Sequence, residues 1–285
     1  MKIFQALSDA TEMLEKCGVA NPRQDAEFLL SHVLGKNKSF LIAHSRDDMD
    51  PIRSESYFSI VQDRSMGKPL QYILGVQEFL GMEFEVTADV LIPRPETELL
   101  VEAARVLFSS ISNPRIVDVG TGSGCIAISL AVLMVSARIW AVDLSEAALV
   151  VAKRNAARHR IRSRLEFLHG NLLELTLEEL GEGTLDGVVS NPPYVSEKEF
   201  PGLQREVRGW EPRLALVGGE RGLSIYEQLI PQAYRCLKPR GHLLMEIGYD
   251  MREKVLGLLS DGWDQIRVKD DSNQIPRVVI ARKRQ

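Results

Sequence analysis

The stretch RIVDVGTGSGCIAISLAVLM, Arg115 to Met134, decides the fold. It opens as a short β-branched run, turns at Gly120, Gly122 and Gly124, and continues from Cys125 as an apolar segment long enough for a buried helix. A buried strand turning sharply into a helix is the repeating unit of an open parallel sheet. The unit recurs downstream. RIWAVD (Arg138–Asp143) precedes the helical pattern SEAALVVAKRNAARH (Ser145–His159), LEFLHG (Leu165–Gly170) follows, and DGVVSNPPY (Asp186–Tyr194) gives a further strand. HLLMEIG (His242–Gly248) reads as a strand, and DQIRVKD (Asp264–Asp270) with RVVIARK (Arg277–Lys283) reads as a closing antiparallel pair. Near-continuous apolar strands alternating with helices predict an α/β protein whose parallel sheet is covered on both faces.

The turn itself carries chemistry. Asp118, Gly120, Thr121, Gly122, Ser123 and Gly124 form a Gly-x-Gly-x-Gly loop with an acidic residue two before the first glycine. Glycines let the backbone approach a ligand, and the helix start offers unpaired N–H groups. Asp143 ends the next strand, nineteen residues beyond Gly124. There a carboxylate can accept from both ribose hydroxyls of an adenosine. The loop differs from the dinucleotide Gly-x-Gly-x-x-Gly and suits a ligand with an amine and no pyrophosphate, as in S-adenosylmethionine. Asp118 would meet that cationic amine directly or through water. Taken singly, the glycines also fit any tight strand-to-helix turn, and Asp143 also fits a helix cap before Ser145.

Asn191-Pro192-Pro193-Tyr194 follows a β-branched run. Two prolines supply no ladder donors, so the strand must end there and leave Asn191 at its tip. Strand ends are where open α/β sheets place their ligands. Asn191 Oδ1 and the Pro192 carbonyl can each accept one N–H of a planar NH2 group, and Tyr194 can stack on it. A delocalised nitrogen is a poor nucleophile, so methylating it demands orientation more than a strong base. The bland reading is a Pro-Pro turn with an aromatic anchor.

The region before the sheet is helical. Ile3, Ala6, Leu7, Ala10, Met13 and Leu14 recur at intervals of three and four until Gly18, while Asn21-Pro22 and Asp50-Pro51 mark further helix starts. After Gly67 the texture changes, and Tyr72–Pro93 (YILGVQEFLGMEFEVTADVLIP) predicts a strand pair or hairpin, followed by an amphipathic helix from Pro93. The predicted limits are a helical bundle over 1–74, a β-hairpin connector over 75–93 and a sheet domain over 94–285.

Apolar residues make up 45% and charged residues 26% of the 285-residue chain, and no segment has the apolar length of a membrane span. The formal charge of −4 argues against affinity built on neutralising phosphates. Cys17, Cys125 and Cys236 are isolated and predict buried free thiols, and no His or Cys spacing suits a metal. The N-terminus lacks the apolar core of a signal peptide, which predicts a cytoplasmic protein without a membrane partner.

With these residues in place, the chain resembles class I S-adenosylmethionine-dependent methyltransferases, and more narrowly the HemK/PrmC family of release factor glutamine methyltransferases. Besides the loop and Asn-Pro-Pro-Tyr, the resemblance rests on GKPLQYILG (Gly67–Gly75), FLG (Phe79–Gly81), IPRPETE (Ile92–Glu98) and EPRLALVGGERGL (Glu211–Leu223). It implies a Rossmann-like seven-stranded domain behind a small helical bundle that docks the release factor and a hairpin connector. The implied reaction is methyl transfer to the glutamine amide in the Gly-Gly-Gln loop of class I peptide chain release factors. Gly120, Gly122 and Gly124 would line the cofactor, Asp143 would hold its ribose, and Asn191 to Tyr194 would hold the glutamine, with Asn191 also beside the cofactor. Where relatives carry an acidic-aromatic pair near the adenine, this chain has Asn171-Leu172, whose amide oxygen and apolar side chain would serve instead. Arg94 and Glu96 fit either a substrate mouth or a plain helix start. A monomer is expected. The alternative reading is a nucleic-acid amino-methyltransferase acting on adenine N6 or guanine N2, whose one basic run would be Lys153–Arg164. A non-catalytic cofactor-binding protein is the third.

Overall fold

The structure is a computed structural model describing residues 1–285. In chain order the elements are α1 (Ile3–Lys16), α2 (Pro22–Leu34), α3 (Lys38–Ala43), α4 (Pro51–Ser65), α5 (Leu70–Leu74), β1 (Val76–Phe79), β2 (Met82–Glu85) and α6 (Glu98–Phe108). There follow β3 (Arg115–Val119), α7 (Cys125–Leu133), β4 (Arg138–Asp143), α8 (Glu146–Arg158), β5 (Leu165–His169), α9 (Glu174–Leu180) and β6 (Leu185–Ser190). The chain closes with α10 (Arg205–Trp210), α11 (Arg213–Leu216), α12 (Ser224–Cys236), β7 (Leu237–Glu246), α13 (Arg252–Leu256), β8 (Trp263–Asp270) and β9 (Pro276–Lys283). Two compact units result: Met1–Val76 with Gln204–Trp210, and Gln77–Leu203 with Glu211–Gln285.

The first unit is helical because its apolar residues repeat at helical spacing. Ala6, Ala10 and Leu14 of α1, Ala26, Leu29 and Leu30 of α2, and Tyr57 and Val61 of α4 share one core. Asp50 caps α4 through its carboxylate, which accepts from Ile52 N at 2.9 Å and Arg53 N at 3.2 Å. Asn21, expected to cap α2, makes no such side-chain bond, so Pro22 at the first helical position marks that start alone. Arg64 is buried and fully engaged: Nε donates to Asp25 at 2.7 Å, one terminal nitrogen to the Lys68 carbonyl at 3.1 Å, and the other to Glu206 at 2.7 Å. Such a buried cation persists only when its donors are matched in this way. Glu206 is the residue that ties α10 into the unit. Tyr72–Leu74, expected to begin a strand, instead complete α5, which Gly75 stops in a left-handed conformation at φ 75°. The hairpin is therefore shorter than its sequence pattern, confined to β1 and β2 around Leu80-Gly81, both at positive φ.

The second unit is built on a seven-stranded sheet of order β5-β4-β3-β6-β7-β9-β8, in which β3 to β7 pair in parallel and β9 runs antiparallel to both β7 and β8. Side chains alternate across it. Ile116, Ile139, Ala141, Val189 and Leu244 face the cluster formed with α6 and α7, whereas Val117, Val119, Trp140, Val142, Val188 and Met245 face the cluster formed with α12. Both faces are dry, which is why the strands read as unbroken apolar runs. The thiols of Cys125 and Cys236 are buried, while Cys17 is exposed, because it follows the last turn of α1 beyond the apolar stripe. No helix is long and apolar enough to cross a membrane.

Gly187 in β6 lets α6 approach the sheet: a Cβ there would lie 2.2 Å from Phe108 Cζ. Gly187→Ala is expected to destabilise the fold by about 1–3 kcal/mol through overpacking, read as a lower urea midpoint at unchanged slope. An unchanged midpoint would show that Phe108 moves freely.

Candidate active site

In register, Val119 of β3 lies beside Val142 of β4 and Ser190 of β6, so the three strands end level. The residues that follow them, Gly120, Asp143 and Asn191, therefore emerge at one edge. A cleft there is lined by Gly120, Gly122, Asp143, Asn171, Leu172, Asn191, Pro192 and Pro193, together with Asp89–Leu91, Ser145 and Leu214. Asp118, Thr121, Ser123, Gly124 and Tyr194 do not line it.

The glycine loop is held by backbone and carboxylate alike. Gly120 N and Thr121 N both donate to the Val142 carbonyl at 2.9 and 3.0 Å, and Gly120, Gly122 and Gly124 all take positive φ. A Cβ at Gly120 or Gly122 would meet no atom within 4 Å, so space is left at both, whereas one at Gly124 would press on Ile128 of α7 and Ala152 of α8. Asp143 accepts from Gly122 N and from Ser145 N, each at 2.8 Å. Each oxygen keeps a further lone pair, so cap and ligand contact are compatible roles. Burial pushes its carboxyl up, against the pull of those N–H groups.

Asp118 is fully buried. Its Oδ2 accepts from Thr121 Oγ1 at 2.7 Å and Ala127 N at 3.1 Å, while Oδ1 has no partner. Burial raises its carboxyl to about 7, opposed by Thr121 and Ala127. A buried carboxylate with an orphaned oxygen next to the glycine loop suits a ligand that brings a cation. Asn171 donates Nδ2 to Glu174 at 3.0 Å, which leaves Oδ1 as its free acceptor. Leu172 beside it takes φ 49°.

Asn191 donates Nδ2 to Thr97 Oγ1 at 3.1 Å, so Oδ1 is its remaining group. Tyr194 packs its ring against Gly248, where a Cβ would lie 3.1 Å from Cδ2, and burial pushes its phenol up to about 12. The Gly218–Gly222 turn clasps the backbone behind: a Cβ at Gly218 would lie 2.3 Å from the Pro193 carbonyl oxygen, and one at Gly222 2.2 Å from that of Tyr194. Val195 N donates to Leu216 and Gly218 N to Val195, both at 2.9 Å. The Glu211 carboxylate accepts from Arg94 at 2.6 Å and from Ile92 N at 3.3 Å, joining IPRPETE to EPRLALVGGERGL. Arg94 is thus taken up by an ion pair within the fold.

Three participants escaped the sequence pattern: Thr97, Glu246 and Asn155. Asn155 is fully buried, accepts from Glu85 N at 2.7 Å and donates to the Glu85 carbonyl at 3.0 Å and the Ser123 carbonyl at 2.9 Å. A lone amide on the apolar face of α8 was the available signal. Arg154 and Arg158 pair with Glu85 and Glu83 of β2, so the basic run ties α8 to the hairpin as well as facing solvent. No group of three or more His, Cys, Asp or Glu side chains is placed to hold a metal.

The family model described as PrmC N-terminal domain matches residues 5–75, and that described as Methyltransferase small domain matches 96–206. A release factor glutamine methyltransferase of Koribacter versatilis is 41% identical over 283 residues, 99% of either chain. This chain belongs to the release factor glutamine methyltransferase family. A second member, from Nitratidesulfovibrio vulgaris, is 40% identical over 97% of this chain and 94% of its own. A solved methyltransferase from Pyrococcus furiosus, 17% identical, superposes with a TM-score of 0.50 over 73% of this chain and 91% of its own. The seven-stranded unit has the Rossmann-like class I methyltransferase fold, whose members use S-adenosylmethionine generally.

Asn155→Ala strands the Glu85 and Ser123 backbone groups in this family member. It is expected to cost roughly 2 kcal/mol of stability and to weaken S-adenosylmethionine binding by loosening the glycine loop. Thermal unfolding and calorimetry check this; a variant as stable as the parent would disprove the tie.

Proposed function

We propose that this protein transfers a methyl group from S-adenosylmethionine to the side-chain amide nitrogen of the glutamine in the Gly-Gly-Gln loop of class I peptide chain release factors. The observation that carries the reading is the Asn191 amide, held at Nδ2 by Thr97 so that Oδ1 is left for a ligand, in the cleft that Pro192, Gly120, Gly122 and Asp143 also line. Two adjacent acceptors match the two N–H groups of a primary amide. The near full-length similarity to release factor glutamine methyltransferases supports glutamine as the bearer of that amide.

The glycine loop would take the cofactor, with Asp143 on its ribose hydroxyls, Asn171 on the adenine amine through Oδ1 and Leu172 against the ring. The orphaned Oδ1 of Asp118 would answer the cationic amine through the loop or a water, since Asp118 itself stays outside the cleft. When bound, S-adenosylmethionine supplies an electrophilic methyl on a sulfonium. Asn191 and Pro192 fix the amide plane, so that the nitrogen lone pair points at that methyl instead of exploring other rotamers. Receiving that methyl, the amide nitrogen would give up one proton to solvent. Tyr194, whose phenol burial keeps protonated, stands outside the lining of the cleft and supplies no base.

In this reading residues 1–74 dock the release factor, 75–93 form the connector and 94–285 carry out the transfer, in a cytoplasmic, monomeric enzyme. The nucleic-acid alternative is weakened, because Arg154 and Arg158 of its one basic run are paired to the hairpin carboxylates.

Mass spectrometry of a release factor incubated with enzyme and cofactor should show one added methyl on the native loop and none on its Gln→Ala form. Methyl transfer to nucleic acid instead would overturn the assignment. Asn191→Ala should lose methyl transfer by about 100-fold or more while calorimetric cofactor binding largely survives, because it removes chiefly the orientation of the acceptor. Asp143→Ala should weaken cofactor binding by about 10-fold or more, and unchanged affinity would refute the ribose contact.

A further inference from the structure

Glu246 is the last residue of β7 and is only 2% exposed. Because Ser190 pairs with Met245 in the parallel ladder, Asn191 and Glu246 are the next residues on neighbouring strands. Between them stands Thr97, also 2% exposed. Its hydroxyl accepts from Asn191 Nδ2 at 3.1 Å and stands near enough to the Glu246 carboxyl to pull its pKa down as a donor. Glu246 Oε2 has no partner. A carboxylate desolvated to this degree, with one oxygen unsatisfied, is a cost to the fold that stability alone does not explain.

A hydroxyl has one proton, so a chain of three groups has a direction. We propose that ionised Glu246 is a positioning residue that sets the donor–acceptor direction of the Glu246–Thr97–Asn191 chain, so that Asn191 presents Oδ1, and not Nδ2, to the acceptor amide. The inference rests on the reading that Asn191 holds that amide. A carboxylate can only accept, so the Thr97 proton turns to it and the Thr97 lone pair takes Asn191 Nδ2–H. A protonated Glu246 can donate to Thr97, which frees the Thr97 proton to turn to Asn191. The Asn191 amide is then stable when rotated half a turn, with Nδ2 aimed at the incoming NH2 and donor facing donor. Neither nitrogen lone pair is available for such a contact, so a glutamine brought into the cleft is no longer held in the plane that transfer needs.

The surroundings place the switch near neutrality. Burial raises the Glu246 carboxyl to about 7, opposed first by the Thr97 hydroxyl and then by Arg277 of β9, with Glu96 raising it and Arg94 lowering it. The remaining neighbours stay neutral. Burial pushes Tyr194 and Cys125 each up to about 12, and Tyr226, which donates to the Glu246 backbone carbonyl at 2.7 Å, well above its ordinary value. The active form of the chain is thus present above about 7 and is lost as pH falls through it.

The test is the pH profile of kcat with the full-length enzyme, a release factor and saturating S-adenosylmethionine. For the parent, kcat should fall about tenfold per pH unit below the Glu246 pKa. Glu246→Gln keeps an oxygen for the Thr97 proton but does not titrate, so the acid limb should vanish whatever the plateau rate. Thr97→Val severs the chain and should lower kcat by about 10- to 100-fold at unchanged cofactor affinity, and Thr97→Ser should restore it. An acid limb that persists in Glu246→Gln would assign it to another group, such as Asp118 or Asp143, and overturn the inference. So would a normal kcat in folded Thr97→Val. Failure of the underlying reading looks different, because the parent enzyme would then leave the release-factor glutamine unmethylated at every pH.

Discussion

Parallel pairing of β3 with β4 on one side and β6 on the other is the constraint from which the site follows. Strands that run together in register end together, and Val119, Val142 and Ser190 stand side by side. Every loop leaving that edge must turn in the same small space. The glycine turn after β3, the carboxylate after β4 and the Asn-Pro-Pro-Tyr turn after β6 are neighbours for that reason, although they lie dozens of residues apart in the chain. Antiparallel strands would have sent alternate loops to opposite ends.

Around this edge the protein buries polar groups, and several of them hold the loops. Asn155 satisfies both backbone groups of Glu85 and a carbonyl of the glycine loop, Ser190 donates to the Val119 carbonyl at 2.8 Å, and Glu211 takes Arg94 and Ile92 N. These bonds convert flexible loops into fixed ones, since a broken bond there would leave an unpaired group out of reach of water. The orphaned oxygens of Asp118 and Glu246 stand out against this background. Both belong to carboxyl groups raised to about 7 by burial, and both lie behind the cleft and not within it. One is suited to answer a ligand's charge, the other to govern a neighbour's orientation.

Much was legible in the residues themselves wherever the physical cause is local. The turn at Gly120 to Gly124 demands positive φ, the prolines at 192 and 193 cannot stay in a ladder, and the apolar strands announce a sheet covered on both faces. The hairpin was legible as well. Tyr72 to Leu74 have strand-like composition and yet are helical, because the left-handed Gly75 closes a turn there. Asn21 has the right identity for a cap and makes no cap bond. In both places composition described what the residues prefer, and neighbouring backbone decided what they do.

The sequence by itself determined the βα alternation, the glycine turn and the strand-ending prolines, since each is dictated by backbone sterics within a few residues. Only the tertiary structure decided which way the Asn191 amide faces. That orientation depends on a hydroxyl 94 positions earlier and a carboxyl at the end of the next strand, and a hydrogen bond between distant side chains leaves no period or spacing in the chain that forms it.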